Sequence, residues 1–259
     1  MKAILCSVFP LLLFATAFAR TPSGQELLFL KNHISAGFEI PFLLTQHGEH
    51  RGVGHLRLRP LPGLALKAEY TYNFSRHFGI TSGAKIGLCT FGFVVTAGAD
   101  DFDIPADLNR KYFRMLPFLN IPLALNFRLL ISDNNILHAD AGASALFYAP
   151  DNSLTTLTYR DGAVSRQIFE MNAHYAAPPQ LIFHAVLSYG RVLKSQNILK
   201  AGVVCNFGKK NIMRGDYTFH RDDVVVGSGR VLTSFSHLAI EVCYIFTRAS
   251  ALGVANPGL

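Results

Sequence analysis

Charged residues recur at alternate positions within otherwise apolar segments of this chain, and their types suit two kinds of chemistry. Both signs are present, so the side chains could form ion pairs in an interior or, with water, a path for protons or ions. An unpaired charge in a low-dielectric space is costly, so ion pairs are the simpler arrangement. The set consists of Glu39, Lys67, Glu69, Lys85, Arg128, Asp140, Lys200 and Glu241, with His138 and His184 on the same parity.

A second group contains the residue types of a hydrolase. Ser234, Ser236, His237 and Glu241 lie near one another in the sequence, and His220 precedes them. Nucleophilic catalysis needs a nucleophile and a base within hydrogen-bond reach. The spacing matches no hydrolase motif, so we predict no catalytic residues and keep a lipid-modifying enzyme, a hydrolase or acyltransferase, as the alternative.

An acidic cluster and many basic residues lie between the apolar segments. Asp100, Asp101, Asp103 and Asp107 could supply oxygen ligands to Ca²⁺, but the spacing lacks the EF-hand glycine and glutamate, so we predict no metal and no cofactor. The basic side chains suit either lipopolysaccharide phosphates or ordinary solvation. They are Arg51, Arg57, Arg59, Arg110, Lys111, Arg114, Lys209, Lys210, Arg214, Arg221 and Arg230.

The segments that carry the eight interior charges alternate with a period of two, which indicates strands with one apolar and one polar face. In residues 63–75, Leu64, Leu66 and Tyr70 alternate with Lys67 and Glu69. The same pattern predicts eight strands, at 33–44, 63–75, 78–95, 118–131, 136–149, 180–194, 198–208 and 235–247. Phe91, Phe93 and Ile182 fall on the polar parity, and a bulge or a strand end is the expected reason.

The connections between these strands alternate in length. Short connections follow the second, fourth and sixth strands, and long ones follow the first, third, fifth and seventh, at 45–62, 96–117, 150–179 and 209–234. This alternation is typical of bacterial outer-membrane barrels. We therefore predict an all-β fold, an eight-stranded antiparallel transmembrane β-barrel with short periplasmic turns and four long extracellular loops.

Composition and the first residues favour export. Hydrophobic residues make up 50% of the chain and charged residues 16%, with a formal net charge of +7. Residues 1–19 carry Lys2, an apolar run and an Ala-Phe-Ala cleavage site, so we predict a cleaved signal peptide followed by one barrel domain at 20–259. Beyond residue 19 no apolar run is long enough for a membrane helix. Cys89, Cys205 and Cys243 are expected to stay unpaired.

The polar parity separates a membrane barrel from a soluble calyx with an apolar interior. A water-facing outer surface would be rich in Thr, Lys and Glu, whereas this parity is rich in Gly, Ala and Ser, which suit a crowded lumen. We therefore place the apolar parity against lipid and predict an interlocked polar plug, because eight strands rarely enclose an open channel. A soluble lipocalin-like binding barrel remains an alternative.

Two segments carry a family resemblance. Residues 118–127, FLNIPLALNF, resemble the fourth strand of the PorT-like small barrels of Bacteroidota outer membranes, and the Tyr-x-Phe ending at Tyr244 and Phe246 is similar too. The resemblance implies the bacterial outer membrane and the eight-strand fold, and no reaction. We expect a non-catalytic barrel, structural or an accessory subunit of an envelope complex. Its expected partners are outer-membrane lipid, lipopolysaccharide and other envelope proteins, but not nucleic acid.

Overall fold

Strands make up most of the chain. The computed structural model describes residues 31–149, 153–161 and 164–247, so the predicted signal peptide lies outside the described residues. The first six strands are β1 Asn32–Gly52, β2 His55–Pro60, β3 Leu64–Asn73, β4 Phe78–Ala97, β5 Leu108–Ser132 and β6 Asn135–Tyr148, with one helical turn, α1 Ala99–Phe102, before β5. The others are β7 Ser153–Asp161, β8 Val164–Tyr175, β9 Gln180–Val192, β10 Ile198–Gly208, β11 Asn211–Arg221 and β12 Val224–Phe246. No helix within these residues is long and apolar enough to cross a membrane.

Eight antiparallel strands close into a barrel. Their order is β1-β3-β4-β5-β6-β9-β10-β12, and β12 pairs back onto β1. The closing ladder runs from Ile34 opposite Phe246 to Gly52 opposite Gly227. Each of the eight predicted strands overlaps one of these eight, so the predicted barrel is confirmed.

Much of the sequence expected to form long loops is strand. β7 continues upward from β6, β8 runs down toward β9, and β11 continues upward from β10 alongside β12. Similarly, β2 runs down beside β4 into β3. The barrel therefore has a lower half, which ends at the short turns, and an upper half built from these continuations. Asp222 and Asp223, both with positive φ, form the two-residue turn between β11 and β12.

The upper wall is split along two seams. Among the described residues, no backbone ladder joins β2 to β1 or β7 to the upper part of β5. Side chains bridge the second seam: the Tyr112 hydroxyl donates to the Thr156 carbonyl at 3.3 Å, and Arg114 donates to the hydroxyls of Ser153 and Thr155. The upper half is thus two facing sheets rather than a closed ring.

Outward side chains of the lower half form an apolar belt. On β5 the belt runs from Leu119 to Leu129, and the side chain of Leu123 between them is 61% exposed. Ten residue steps at about 3.3 Å, tilted by about 40°, give a height of about 25 Å, that of the apolar band of an outer-membrane barrel. The predicted face assignment, apolar outside and polar inside, holds in this half.

The interior changes character between the two halves. Phe91 and Phe93 point inward and are buried, and β4 pairs with β5 in one unbroken register past both of them. Ile182 is buried in the same way. The expected bulge or strand end is therefore wrong: these residues keep the parity of the lumen, and the upper lumen is apolar.

Candidate functional site: the charged lumen

Like charges face each other on two parts of the lower wall. Glu39 of β1 lies directly opposite Glu241 of β12, and Lys67 of β3 lies directly opposite Lys85 of β4. Either pair alone would destabilise its strands, because adjacent like charges repel. The two lysines contact the two glutamates, which compensates both pairs and ties β3 and β4 to β1 and β12.

The compensating contacts are short and buried. Lys67 Nζ donates to Glu241 Oε2 at 2.6 Å and lies 3.1 Å from Glu69 Oε2. Lys85 Nζ donates to Glu39 Oε2 at 2.8 Å. The side chain of Glu241 is 0% exposed, so its charge depends wholly on these neighbours.

A third lysine extends the ion pairs to the far side of the barrel. Lys200 Nζ on β10 lies 3.3 Å from Glu241 Oε1 and 3.6 Å from Asp140 Oδ2 on β6. Asp140 also accepts a hydrogen bond from the Asn126 amide on β5. Glu241 therefore joins two lysines that approach it from opposite sides.

His237 closes the charged layer from above. Its Nε2 lies 3.3 Å from Glu39 Oε1 and 2.8 Å from the Asn206 amide nitrogen. On its other side its ring meets the ring of Phe235 edge-on, with centroids 5.0 Å apart. The boundary between the polar and the apolar part of the lumen therefore lies between Phe235 and His237, two consecutive inward positions of β12.

Arg128 lies apart from the carboxylates. The sequence places it among the interior charges that could form ion pairs, but it forms no ion pair with a described residue. Its guanidinium instead donates to the backbone carbonyls of Ser75 and Arg76, each at 3.3 Å. The reason is height: Arg128 sits at the short-turn end of β5, opposite His138, below the level of the glutamates.

The seven other predicted charges form one charged layer that consists of two contact networks, one of Glu39 with Lys85 and one of the remaining five. It comprises Glu39, Lys67, Glu69, Lys85, Asp140, Lys200 and Glu241, and the polar side chains that extend it are Asn126, Asn206 and His237. These side chains come from every barrel strand except β9. His184 of β9 and His138 of β6 also point inward and are buried. Sequence reasoning put His237 on the polar parity with Glu241 but grouped it with the hydrolase-like residues and not with the lumen charges.

An aromatic cluster fills the lumen above this layer. Phe118 and Phe235 pack edge-on with centroids 5.1 Å apart, and Phe169 packs against Phe219 at 5.2 Å and against Phe93 at 6.4 Å. These side chains come from both sheets of the upper half and are buried. The upper lumen is therefore a packed apolar core.

The hydrolase-like group is divided by the barrel wall. His237 and Glu241 point into the lumen, whereas Ser234 and Ser236 have the opposite parity on β12. The Ser236 hydroxyl is held by the backbone of Gly208, 3.1 Å from its nitrogen. These residues cannot act together as nucleophile and base.

Two residues of the acidic cluster stabilise the helical turn α1. Asp107 Oδ1 accepts a hydrogen bond from the Ala99 nitrogen at 2.8 Å, and Asp103 ends the helical turn with a positive φ. Within the described residues no group of three or more His, Cys, Asp or Glu side chains is placed to hold a metal ion. Cys89, Cys205 and Cys243 are free cysteines.

Several of the basic residues outside the belt have acidic partners. Arg214 and Arg230 both bind Asp216, at 2.7 and 2.8 Å, and Arg51 binds Glu49 at 3.0 Å. Slight burial alone would raise the pKa of Asp216, but the hydrogen bonds from Arg230 and Arg214 hold it below its ordinary value. These cations therefore already have acidic partners within the protein, with Arg214 and Arg230 sharing one carboxylate.

Comparisons with known proteins show likeness in structure only. No family model and no curated protein matches the chain. Outer membrane protein OprG from Pseudomonas aeruginosa is 11% identical with a TM-score of 0.47, covering 83% of this chain and 95% of that one. The outer membrane protease OmpT from Escherichia coli is 11% identical with a TM-score of 0.35, covering 89% and 99%. Outer membrane protein Ail from Yersinia pestis is 14% identical with a TM-score of 0.26, covering 82% and 99%. At these identities and scores the likenesses say nothing about what this chain does.

Proposed function

We propose that this chain is a sealed, non-catalytic barrel of the bacterial outer membrane, structural or an accessory subunit of an envelope complex. The observation that carries this proposal is that the lower half of the barrel has an apolar belt outside and a lumen filled with side chains inside. Membership of the PorT-like family and contact with lipopolysaccharide or other envelope proteins remain predictions within this proposal.

The belt supports insertion into a bilayer. Outward positions of β12 from Leu238 to Phe246 carry no charge, and a charge at the bilayer midplane would cost about 2–4 kcal/mol. Tyr70, Tyr72 and Tyr189 are exposed toward the short-turn end of the belt. Tyrosine is favoured at membrane interfaces, so this end fits the boundary between lipid and water.

The lumen supports a sealed barrel. Ion pairs from Lys67 and Lys200 to Glu241 cross the lower half, and the aromatic core around Phe93 and Phe169 fills the upper half. An ion passing through would have to displace both layers. The lipid-modifying alternative gains no support from the serines, because they lie across the wall from His237.

Orientation can be tested by thiol labelling on intact cells. In a background with the native cysteines replaced by alanine, Val225→Cys lies beside the β11–β12 turn and Lys194→Cys lies in the β9–β10 turn, and both positions are exposed. We expect an impermeant reagent to label only Val225→Cys, with Lys194→Cys labelled after the outer membrane is permeabilised. Labelling of Lys194→Cys alone on intact cells would invert the orientation, and labelling of neither after permeabilisation would contradict the surface assignment.

A further inference from the structure

Three cations on the outer surface of the upper wall have no partner within the described chain. Arg57 and Arg59 of β2 and Lys111 of β5 are exposed, and none of them forms an ion pair with a described residue. They differ in this from Arg51 and Arg230, which form ion pairs with acidic neighbours. Their charge is therefore available to a ligand from outside.

Strand register places the three cations together. Arg57 lies opposite Val94 on β4, and Val94 lies opposite Lys111, so Arg57 and Lys111 lie in one row across the wall with Val94 between them. Two strand spacings put Arg57 and Lys111 about 10 Å apart, and two residue steps put Arg57 and Arg59 about 7 Å apart. All three have outward parity, because Leu56 and Leu116 on the same strands point inward and are buried.

An apolar strip leads from this cluster down to the belt. Arg59 lies opposite Gly92, which in turn lies opposite Phe113, and the side chain of Phe113 is 67% exposed. Met115 is the next outward residue on β5 and is also exposed. Leu61 covers the outer side of Gly92, where an added Cβ would lie 3.0 Å from its Cδ1. The strip joins the belt above Leu119, and the cations stand directly over its exposed side chains Phe113 and Met115.

We propose that Arg57, Arg59 and Lys111 bind the phosphate groups of a multiply phosphorylated membrane lipid of the lipid A class, with its acyl chains lying against Phe113, Met115 and the belt. This inference rests on the proposed function, since it needs the belt to lie in a bilayer. Arginine forks match phosphate oxygens, and cations near an anionic membrane surface are attracted to it. Three cations spread over about 10 Å suit more than one phosphate better than a single headgroup.

Lipid retention tests the proposal. The full chain is reconstituted in phosphatidylcholine nanodiscs containing a small fraction of bisphosphorylated lipid A, and bound lipid is measured by native mass spectrometry. The test variant is Arg57→Gln/Arg59→Gln/Lys111→Gln. The matched control, Arg51→Gln/Arg214→Gln/Arg230→Gln, removes the same charge from the paired arginines. Parallel arms use dephosphorylated lipid A and free inorganic phosphate.

We expect the wild type to retain lipid A and the test variant to lose affinity on the order of 100-fold, at about 5-fold per cation. The control should bind like the wild type, and neither dephosphorylated lipid A nor free phosphate should compete. Equal retention by wild type and test variant, equal loss in the control, or competition by free phosphate would each overturn the proposal. Insertion into pure phosphatidylcholine separates the two claims: failure there contradicts the membrane barrel itself, whereas insertion without lipid A selectivity contradicts only this site.

Discussion

Replacing Lys85 with methionine should leave Glu39 as an uncompensated charge inside the barrel. The two side chains are 5% and 3% exposed, and the lysine nitrogen donates to the carboxylate at 2.8 Å. Loss of one partner of a buried ion pair costs about 3–5 kcal/mol. Because His237 still lies 3.3 Å from the other carboxylate oxygen of Glu39, we expect a loss near the lower end, about 3 kcal/mol.

The double variant Glu39→Gln/Lys85→Met separates lost pairing from lost packing. Replacing both partners by neutral groups of similar size removes the stranded charge, so most of the stability should return. The control pair is Glu49 and Arg51, 3.0 Å apart but 83% and 78% exposed, where the coupling should be about 0–1 kcal/mol.

The assay is urea unfolding of the reconstituted barrel followed by far-ultraviolet circular dichroism, since the chain has no tryptophan for fluorescence. A double-mutant cycle then gives the coupling energy. The reasoning would be refuted if the stability losses of Glu39→Gln and Lys85→Met simply added up in the double variant. It would also be refuted if Lys85→Met cost no more stability than the exposed control.

Three further variants test separate parts of the structure. Leu123→Arg places a charge on the belt and should impair membrane assembly by about 2–4 kcal/mol, whereas Asn126→Ser, on the lumen side of the same strand, should assemble normally; equal assembly of both would contradict the face assignment. Arg128→Met removes only hydrogen bonds to turn carbonyls and should cost about 1–2 kcal/mol in the same unfolding assay, less than Lys85→Met. Phe169→Ala leaves a cavity in the upper core and should cost about 3–5 kcal/mol, and a negligible change would mean that the two upper sheets do not pack together.

The sequence predicts the lower barrel well because one physical rule governs it. Leu123 points outward and Asn126 points into the lumen, so polarity alternates with parity along each strand. The same rule fails in the upper half, where inward residues such as Phe219 are apolar and outward residues such as Asp216 are polar. The polarity of the two faces is therefore reversed in these strands. A search for strands with an apolar outer face assigns such segments to the loops.

The lumen charges could be predicted as a set but not as pairs. Parity assigns Arg128 and Lys85 to the same interior, but it carries no information on height. Only the register of β5 with β6 shows that Arg128 lies at the level of His138, near the short turns, while Lys85 reaches Glu39. Contacts between strands far apart in sequence, such as Lys67 with Glu241, depend on closure of the barrel.

The sealed lumen is the central claim, and single-channel recording in a planar lipid bilayer tests it most directly. The full chain should insert and show no sustained conductance, because the ion pairs around Glu241 and the aromatic core around Phe169 block the interior in series. A stable, ion-selective conductance that Glu241→Gln alters without loss of stability would contradict the account and make the lumen charges a pathway.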